Sequence, residues 1–384
     1  MVFEAAFVGA VVILSGISSQ ISFWATGQLM TEYPMFLLYF CNGLYALLFL
    51  LILVAASCLN VSREDGLSQR ELKTTKWQRL HADLFGTSQQ QRSYVFIGIG
   101  TGLSLELQQI ANGKVNATLQ SVLYQMYLPF TALCAVLYLH ERLTTWQISG
   151  GFLVFGGICL VVLPGGISHG NDLIWVLVYA LSTFPLAFAC VLQEESFTKL
   201  RSAALQMSFW STVYGTLLNV VLIPIAMIPG LLYGENGPVF PSPISISELM
   251  AHERDACSCF FGWSPLPDGC HASAMVPVLE YSLSYGINVL SCMLLVKMAN
   301  AVTCVIIGAV VVPGTAIASA LPLVIGWYGL PSAKAVPITW YVVLGGLVVV
   351  AGMLVFSGEE LMQPRQELSD SGSEASEDEP SAAE

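Results

Sequence analysis

The chain has 384 residues, of which 55% are hydrophobic and 10% charged, with a mean hydropathy of +0.69. A soluble domain carries about 25% charged residues, so this composition excludes a water-soluble globular fold and makes lipid the solvent. The net charge of −12 is local, since Gly358 to Glu384 holds nine acidic residues against Arg365 alone, and no basic patch interleaved with aromatics offers itself to nucleic acid.

Ten apolar segments follow one another, at roughly 4–28, 34–58, 93–111, 117–138, 145–164, 172–192, 205–230, 274–298, 301–325 and 337–357. Each approaches the ~20 residues a span needs. Backbone polar groups in hydrocarbon need internal partners, so the segments are predicted to be helices and the protein an all-α polytopic membrane protein. The first run is read as a retained helix, because Met1 to Glu4 lacks the basic start of a secretory signal.

Lys and Arg orient the segments. With the N-terminus in the cytoplasm, eleven of the fourteen basic residues fall on that side, six of them in the loop 59–92. Only Lys114, Arg254 and Lys334 fall opposite. Both termini are therefore expected in the cytoplasm. The loop 59–92 reads as a short helix plus linker. The loop 231–273, rich in Pro, Gly and Cys, reads as luminal, and the acidic tail 358–384 as disordered.

An internal repeat divides the chain. Thr145, Trp146, the pair Gly150-Gly151 and Gly157 open the fifth segment; Thr339, Trp340, the pair Gly345-Gly346 and Gly352 open the tenth. The segments before them carry Pro129 and Pro313, which are expected to kink their helices. Two such matches in corresponding places predict two inverted five-helix repeats, 1–165 and 166–357, an arrangement built for transport.

Ionisable groups inside a span are costly and point to function. Two acids qualify, Glu106 in the third segment and Glu280 early in the eighth. In the eighth, Tyr281, Ser284, Tyr285, Asn288 and Cys292 recur at helical spacing and form one polar stripe. Ser121 and Gln125, four apart with Gln120 and Tyr124 beside them, do the same in the fourth, and Gln20 and Trp24 in the first. These stripes are candidate linings of a central cavity. The plainer reading is helix-to-helix bonding, worth roughly 0.6 kcal/mol per polar contact.

Cys257, Cys259 and Cys270 with His271 have spacing open to zinc, but an oxidising lumen favours disulfides. Cysteines two apart rarely bond each other, so Cys270 is expected to pair with Cys257 or Cys259, with no metal site. Enzymes fare poorly: there is no phosphate loop ending in Lys-Ser/Thr, no pair of intramembrane Asp residues and no His-Glu-x-x-His run in a span. No cofactor is implied. In the tail, Ser371 and Ser376 each have Glu three residues on and fit an acidophilic kinase, which leaves room for a tail partner and for a scaffold or receptor function.

The stretch from Leu128 to Thr144, with Gln147 and the glycine pair after it, resembles the hallmark of the drug/metabolite transporter superfamily. Tyr33-Pro34-Met35-Phe36, Leu119-Gln120-Ser121 with Gln125, Glu194-Glu195 through Lys199, Asn288 through Lys297, and Pro313-Gly314-Thr315 are similar to the chloroquine-resistance-transporter family within it. The likeness runs over nearly the whole membrane domain. It departs in the luminal loop, where the family usually carries four cysteines and this chain three. The resemblance implies a secondary-active carrier of amino acids, short peptides, thiols such as glutathione, or organic cations, coupled to protons, on a vacuolar, endolysosomal or other endomembrane. A nucleotide-sugar or sugar-phosphate carrier is the alternative within the superfamily, though such carriers show a Lys-rich motif late in the chain where only Lys297 and Lys334 stand here.

Overall fold

The computed structural model describes residues 2–30, 33–58, 85–112, 114–140, 142–165, 170–200, 203–226, 246–263, 270, 274–298, 301–330 and 339–358. Every one of the ten apolar segments carries helix, and no strand occurs among the described residues. In chain order the helices are α1 (Val2–Leu29), α2 (Pro34–Cys58), α3 (Ser88–Asn112), α4 (Ala117–Tyr124) and α5 (Tyr127–Cys134), then α6 (Thr145–Gly165), α7 (Gly170–Thr198) and α8 (Ala204–Ala226). After these come α9 (Ile246–Phe261), α10 (Met275–Met298), α11 (Ala301–Ala320), α12 (Pro322–Trp327) and α13 (Trp340–Phe356). Among the described residues, six stretches are long and apolar enough to cross a membrane, from Ala6–Leu29 to Met275–Leu295. The chain is thus an all-α, multi-pass membrane protein. Its large apolar side chains stand out from the bundle, as Phe152 at 74% and Leu323 at 86% exposure illustrate, which suits contact with lipid.

Local chemistry sets several helix ends. Thr87 N–H donates to Gln90 Oε1 (2.8 Å) while Gln90 N–H returns a bond to Thr87 Oγ1 (3.3 Å), a reciprocal cap that starts α3. Thr144 and Gln147 repeat the device at α6, at 3.0 and 3.3 Å. Asn116 caps α4 by accepting from Leu119 N–H at 2.8 Å. The first of these caps moves the third helix to begin at Ser88, five residues before the predicted edge.

The fourth segment breaks, but not at Pro129. The break falls at Gln125–Met126, one turn upstream. Proline has no N–H for the carbonyl four residues back, and Gln125 O instead accepts from Leu128 N–H (3.1 Å) in a tighter turn. The segment ends in a π-helical stretch, Ala135–Leu139, closed by His140 in the left-handed region at φ 58. In the ninth segment α11 continues through Pro313 and the interruption comes at Leu321, just before Pro322. Pro185 also lies inside a continuous helix, α7.

Glycines fix the tightest packing. A Cβ on Gly150 would meet Gly352 O at 2.6 Å and the Phe356 backbone; one on Gly157 would meet Gly345 O at 2.8 Å. Viewed from α13, Gly352 faces Gly150 O at 2.9 Å and Gly345 faces Gly157 O at 2.7 Å. The two helices therefore cross antiparallel through the same pair of glycines, and their contact is reciprocal. The remaining packing has the same property: α1 on α10 answers α3 on α7, α1 on α11 answers α7 on α4 and α5, and α2 on α10 answers α3 on α8. The predicted duplication requires this reciprocity.

One element was not anticipated. Within the loop 231–273, Ile246–Phe261 form helix α9, which buries Ala256, Cys259 and Phe260. That face has i, i+3, i+4 spacing, but the Pro, Gly and Cys around it mask the period when the loop is read as a whole. The bulk of the loop 59–92, the acidic tail with Ser371 and Ser376, and His271 lie outside the described residues.

Candidate functional site

Glu106 is placed by a run of small residues. On α3, Gly98, Gly102 and Glu106 are four apart; on α8, Ser211, Gly215 and Asn219 are four apart. A Cβ on Gly98 would meet Ser211 O at 2.6 Å, and one on Gly102 would meet Gly215 Cα at 2.8 Å. Without side chains the two backbones touch, in parallel register, and the next residues along both faces are Glu106 and Asn219. Glu106 is 6% exposed and Asn219 fully buried. The hydrogen-bond partners orient the Asn219 amide so that its nitrogen donates to Glu106 Oε2 (3.3 Å), with Gly102 O and Gly215 O also within 3.3 Å, while its oxygen accepts from Asn42 Nδ2 of α2 (3.1 Å). Three helices thus converge on one carboxyl. Among the described residues its other oxygen receives no donor, and no lysine, arginine or histidine acts on it.

A second cluster is aromatic. Tyr281 and Tyr285 of α10 pack on Tyr45 of α2 with ring centroids at 5.9 and 4.9 Å, and Phe23 of α1 lies 5.0 Å from Tyr281. Tyr124 of α4 lies within electrostatic reach of Tyr285 and Cys292 on α10 and of Tyr179 and Cys190 on α7, and stacks on Tyr127, whose hydroxyl donates to Cys190 Sγ at 2.6 Å. Tyr124, Gln125, Tyr127, Tyr285, Cys190 and Cys292 are all half-buried. Around them lie hydroxyls, thiols and ring faces with no charge, a surface that can hold an organic solute through rings and single hydrogen bonds.

The other predicted residues divide. Gln20 is half-buried and its Oε1 is a buried acceptor without a partner among the described residues. Glu280 accepts on one oxygen from Ser18 Oγ (2.8 Å) and Tyr328 OH (2.9 Å), tying α10 to α1 and to the residue that follows α12. Asn288 spends its amide on α1, donating to Val12 O (3.0 Å) and Ser15 Oγ (3.3 Å), and Gly16 leaves the room for it. Gln120 is fully buried and staples the α3–α4 turn, its Nε2 lying 2.8–2.9 Å from Asn112 O, Asn112 Oδ1 and Val115 O. Ser284 bonds back to Glu280 O within its own helix. In the loop 231–273, Cys259 and Cys270 come together in bonding geometry, Cα to Cα 5.8 Å, with Cys257 left aside. No group of three or more metal-ligating side chains occurs among the described residues.

The profile of the CRT-like, chloroquine-resistance transporter-like, family matches residues 6–356. The chain belongs to that family. Relatives of this CRT-like chain include Crt homolog 3 of Dictyostelium discoideum, 23% identical over 68% of the chain and 57% of the relative. The chloroquine resistance transporter of Toxoplasma gondii is 21% identical over 72% of the chain and 31% of its own length. Protein CLT1, chloroplastic, of Arabidopsis thaliana is 26% identical over 69% and 57%. The CRT-like chain therefore aligns with 31–57% of the length of these relatives.

Reading the sequence passed over Asn42, Asn219, Tyr45, Tyr127 and Cys190. A signal existed for the two amides, since each interrupts an apolar run in which an unpaired amide would be costly. For the tyrosines there was none, because a tyrosine in a span is as common in packing as in binding.

Proposed function

We propose that this chain is a secondary-active transporter of small organic solutes, with Glu106 as the proton-coupling group and the Tyr124–Tyr285 cluster as the solute site. The observation that carries the reading is the difference in chemistry between two clusters: one buried carboxyl that no lysine, arginine or histidine among the described residues acts on, and one half-buried group of rings, hydroxyls and thiols. A carboxylate deep in a bundle is tolerable when a proton or cation neutralises it as the cavity closes. Alternate access would arise from rocking of the two five-helix halves about the α6–α13 crossing. Family membership supports transport and leaves the solute open; amino acids, short peptides, glutathione and organic cations are the classes proposed. The membrane is proposed to be vacuolar or endolysosomal, with both termini cytoplasmic. Two Arabidopsis relatives are named chloroplastic, so imaging of a tagged chain should be scored for plastids as well.

The test is flux in proteoliposomes. Purified full-length protein should take up at least one of a labelled amino acid, glutathione or a cationic drug, faster with a pH gradient than without. Uptake equal to that of protein-free vesicles for all three would remove the transporter reading and favour a scaffold.

A further inference from the structure

The first turns of α2 pack on helix α9 and, through Asn219, connect to the buried carboxyl. Phe36 and Phe40 pack on Phe260 of α9, with ring centroids at 6.2 and 4.6 Å. Asn42 reaches Glu106 through Asn219. Tyr39 lies on the same stretch, one turn before Asn42, and interacts electrostatically with two carboxyls, Glu106 of α3 and Glu253 of α9. Glu253 is half-buried, three residues before the buried Ala256, on the side of α9 that packs down. Arg254 and Asp255, next to it, are exposed.

Glu253 also has the chemistry of a proton donor. Its partial burial holds the carboxyl above the ordinary carboxylate range, so it gives up and regains protons closer to neutrality than a surface glutamate. Cys257, one turn on, is the other titratable group acting with it. Facing Glu106 are Tyr39 and the uncharged amides Asn42 and Asn219. Among the described residues, α1, α7 and α8 add no titratable group that acts on it. The pairing of Cys259 with Cys270 ties α9, two residues beyond Cys257, to the segment leading into α10.

We propose that Glu253 and Tyr39 are the proton entry to Glu106, connecting the solvent around α9 with the carboxyl between α3 and α8. This rests on Glu106 being the proton site. In the step, the O–H bond of protonated Glu253 breaks as the proton passes through an intervening water to the Tyr39 hydroxyl. Tyr39 in turn releases its own proton to Glu106, forming the O–H bond there on the oxygen that Asn219 does not occupy. Tyrosine ends neutral, Glu253 ends as carboxylate, and solvent reprotonates it.

The experiment uses the full chain in lipid nanodiscs and the infrared band of protonated carboxyl groups. Glu106→Gln should remove a titrating band; if the spectrum is unchanged, Glu106 is not the proton site and both readings fall together. With that band assigned, protons are released by flash photolysis of a caged acid and its growth is followed in time. Glu253→Gln and Tyr39→Phe should each slow growth at least about tenfold, as loss of a positioned proton-transfer group does, with the final amplitude preserved. Asp255→Asn should leave the rate alone. Wild-type rates in both variants, or equal slowing in Asp255→Asn, would overturn the entry route while leaving Glu106 as proton site. Should Glu253→Gln fail to fold, Tyr39→Phe, which loses only a hydroxyl, decides the matter alone.

Discussion

Two helix seams of the bundle are built from opposite materials. Between α3 and α8 the backbones touch through Gly98, Gly102 and Gly215, and the seam ends in one carboxyl held by two amides. Between α2 and α10 the contacts are made by side chains: Gly286 meets only a Leu48 methyl, and Tyr45, Tyr281 and Tyr285 fill the rest. Backbone contact excludes water and fixes distances, which suits a group whose protonation must be controlled. Ring contact leaves adjustable, uncharged surface, which suits a solute. Two seams of one bundle can therefore differ in chemistry.

The harshest way to break the contrast is Gly102→Leu. Its new Cβ would lie 2.8–2.9 Å from Gly215 Cα and O, and backbone cannot move aside cheaply. The cost should reach about 3 kcal/mol, the upper end for overpacking, seen as a lower melting temperature in detergent or loss of folded protein. Gly286→Ala, which meets a flexible methyl, should cost less than about 1 kcal/mol. Similar melting of the two variants would mean that the seams do not differ as described.

Cys270→Ser probes how α9 is held over the acid seam. Non-reducing peptide mapping of the wild type should find Cys259 joined to Cys270, with Cys257 free to alkylate. Removing a bond across so short a loop should lower stability by about 2 kcal/mol. A map that links Cys257 instead, or a fully reduced loop, would contradict the pairing.

Function separates the seams more sharply. Glu106→Gln should reduce gradient-driven uptake at least about tenfold while solute exchange at equal pH persists. Tyr285→Phe should do the reverse, weakening apparent affinity by roughly two- to tenfold through a lost hydrogen bond, with the response to the gradient intact. If both variants lose the same activity, solute and proton share one site. The smallest effect belongs to Asn288→Ala. Its amide is committed to α1, so it should lower stability by about 0.6 kcal/mol and leave affinity unchanged; an altered affinity would return it to the cavity.

The helices were legible because apolar length reports directly on lipid, and the α6–α13 crossing because its glycines repeat. The positions of Glu106 and Glu280 inside apolar segments were visible too, since an acid in a span needs a reason; their role is what the variants above test. What escaped were features that depend on partners distant in sequence. Asn219 gains its meaning from Gly102 and Gly215 bringing α3 onto α8, and no local pattern around it says which helix it faces. Gln120 and Asn288 looked like cavity residues because polarity in a span is visible while the carbonyls that consume it are not. Proline misled in a similar way: the break belongs to the carbonyl it orphans, a turn away at Gln125, and Pro322 outranked Pro313 because it stands at a helix start.

The α6–α13 crossing also has a consequence for how the chain is made. The glycine face of α6 is complete at Gly165, but the helix that covers it ends only at Phe356, about 190 residues later. At ordinary translation speeds the ribosome needs roughly 10–40 seconds to supply it. During that interval the first five segments are in the membrane with their closest-packing surface unpaired. Nascent chains stalled before Trp340 should therefore be held by insertion machinery and degraded, while chains a few dozen residues longer escape, so that completion of the last helix marks the moment at which quality control lets the protein go.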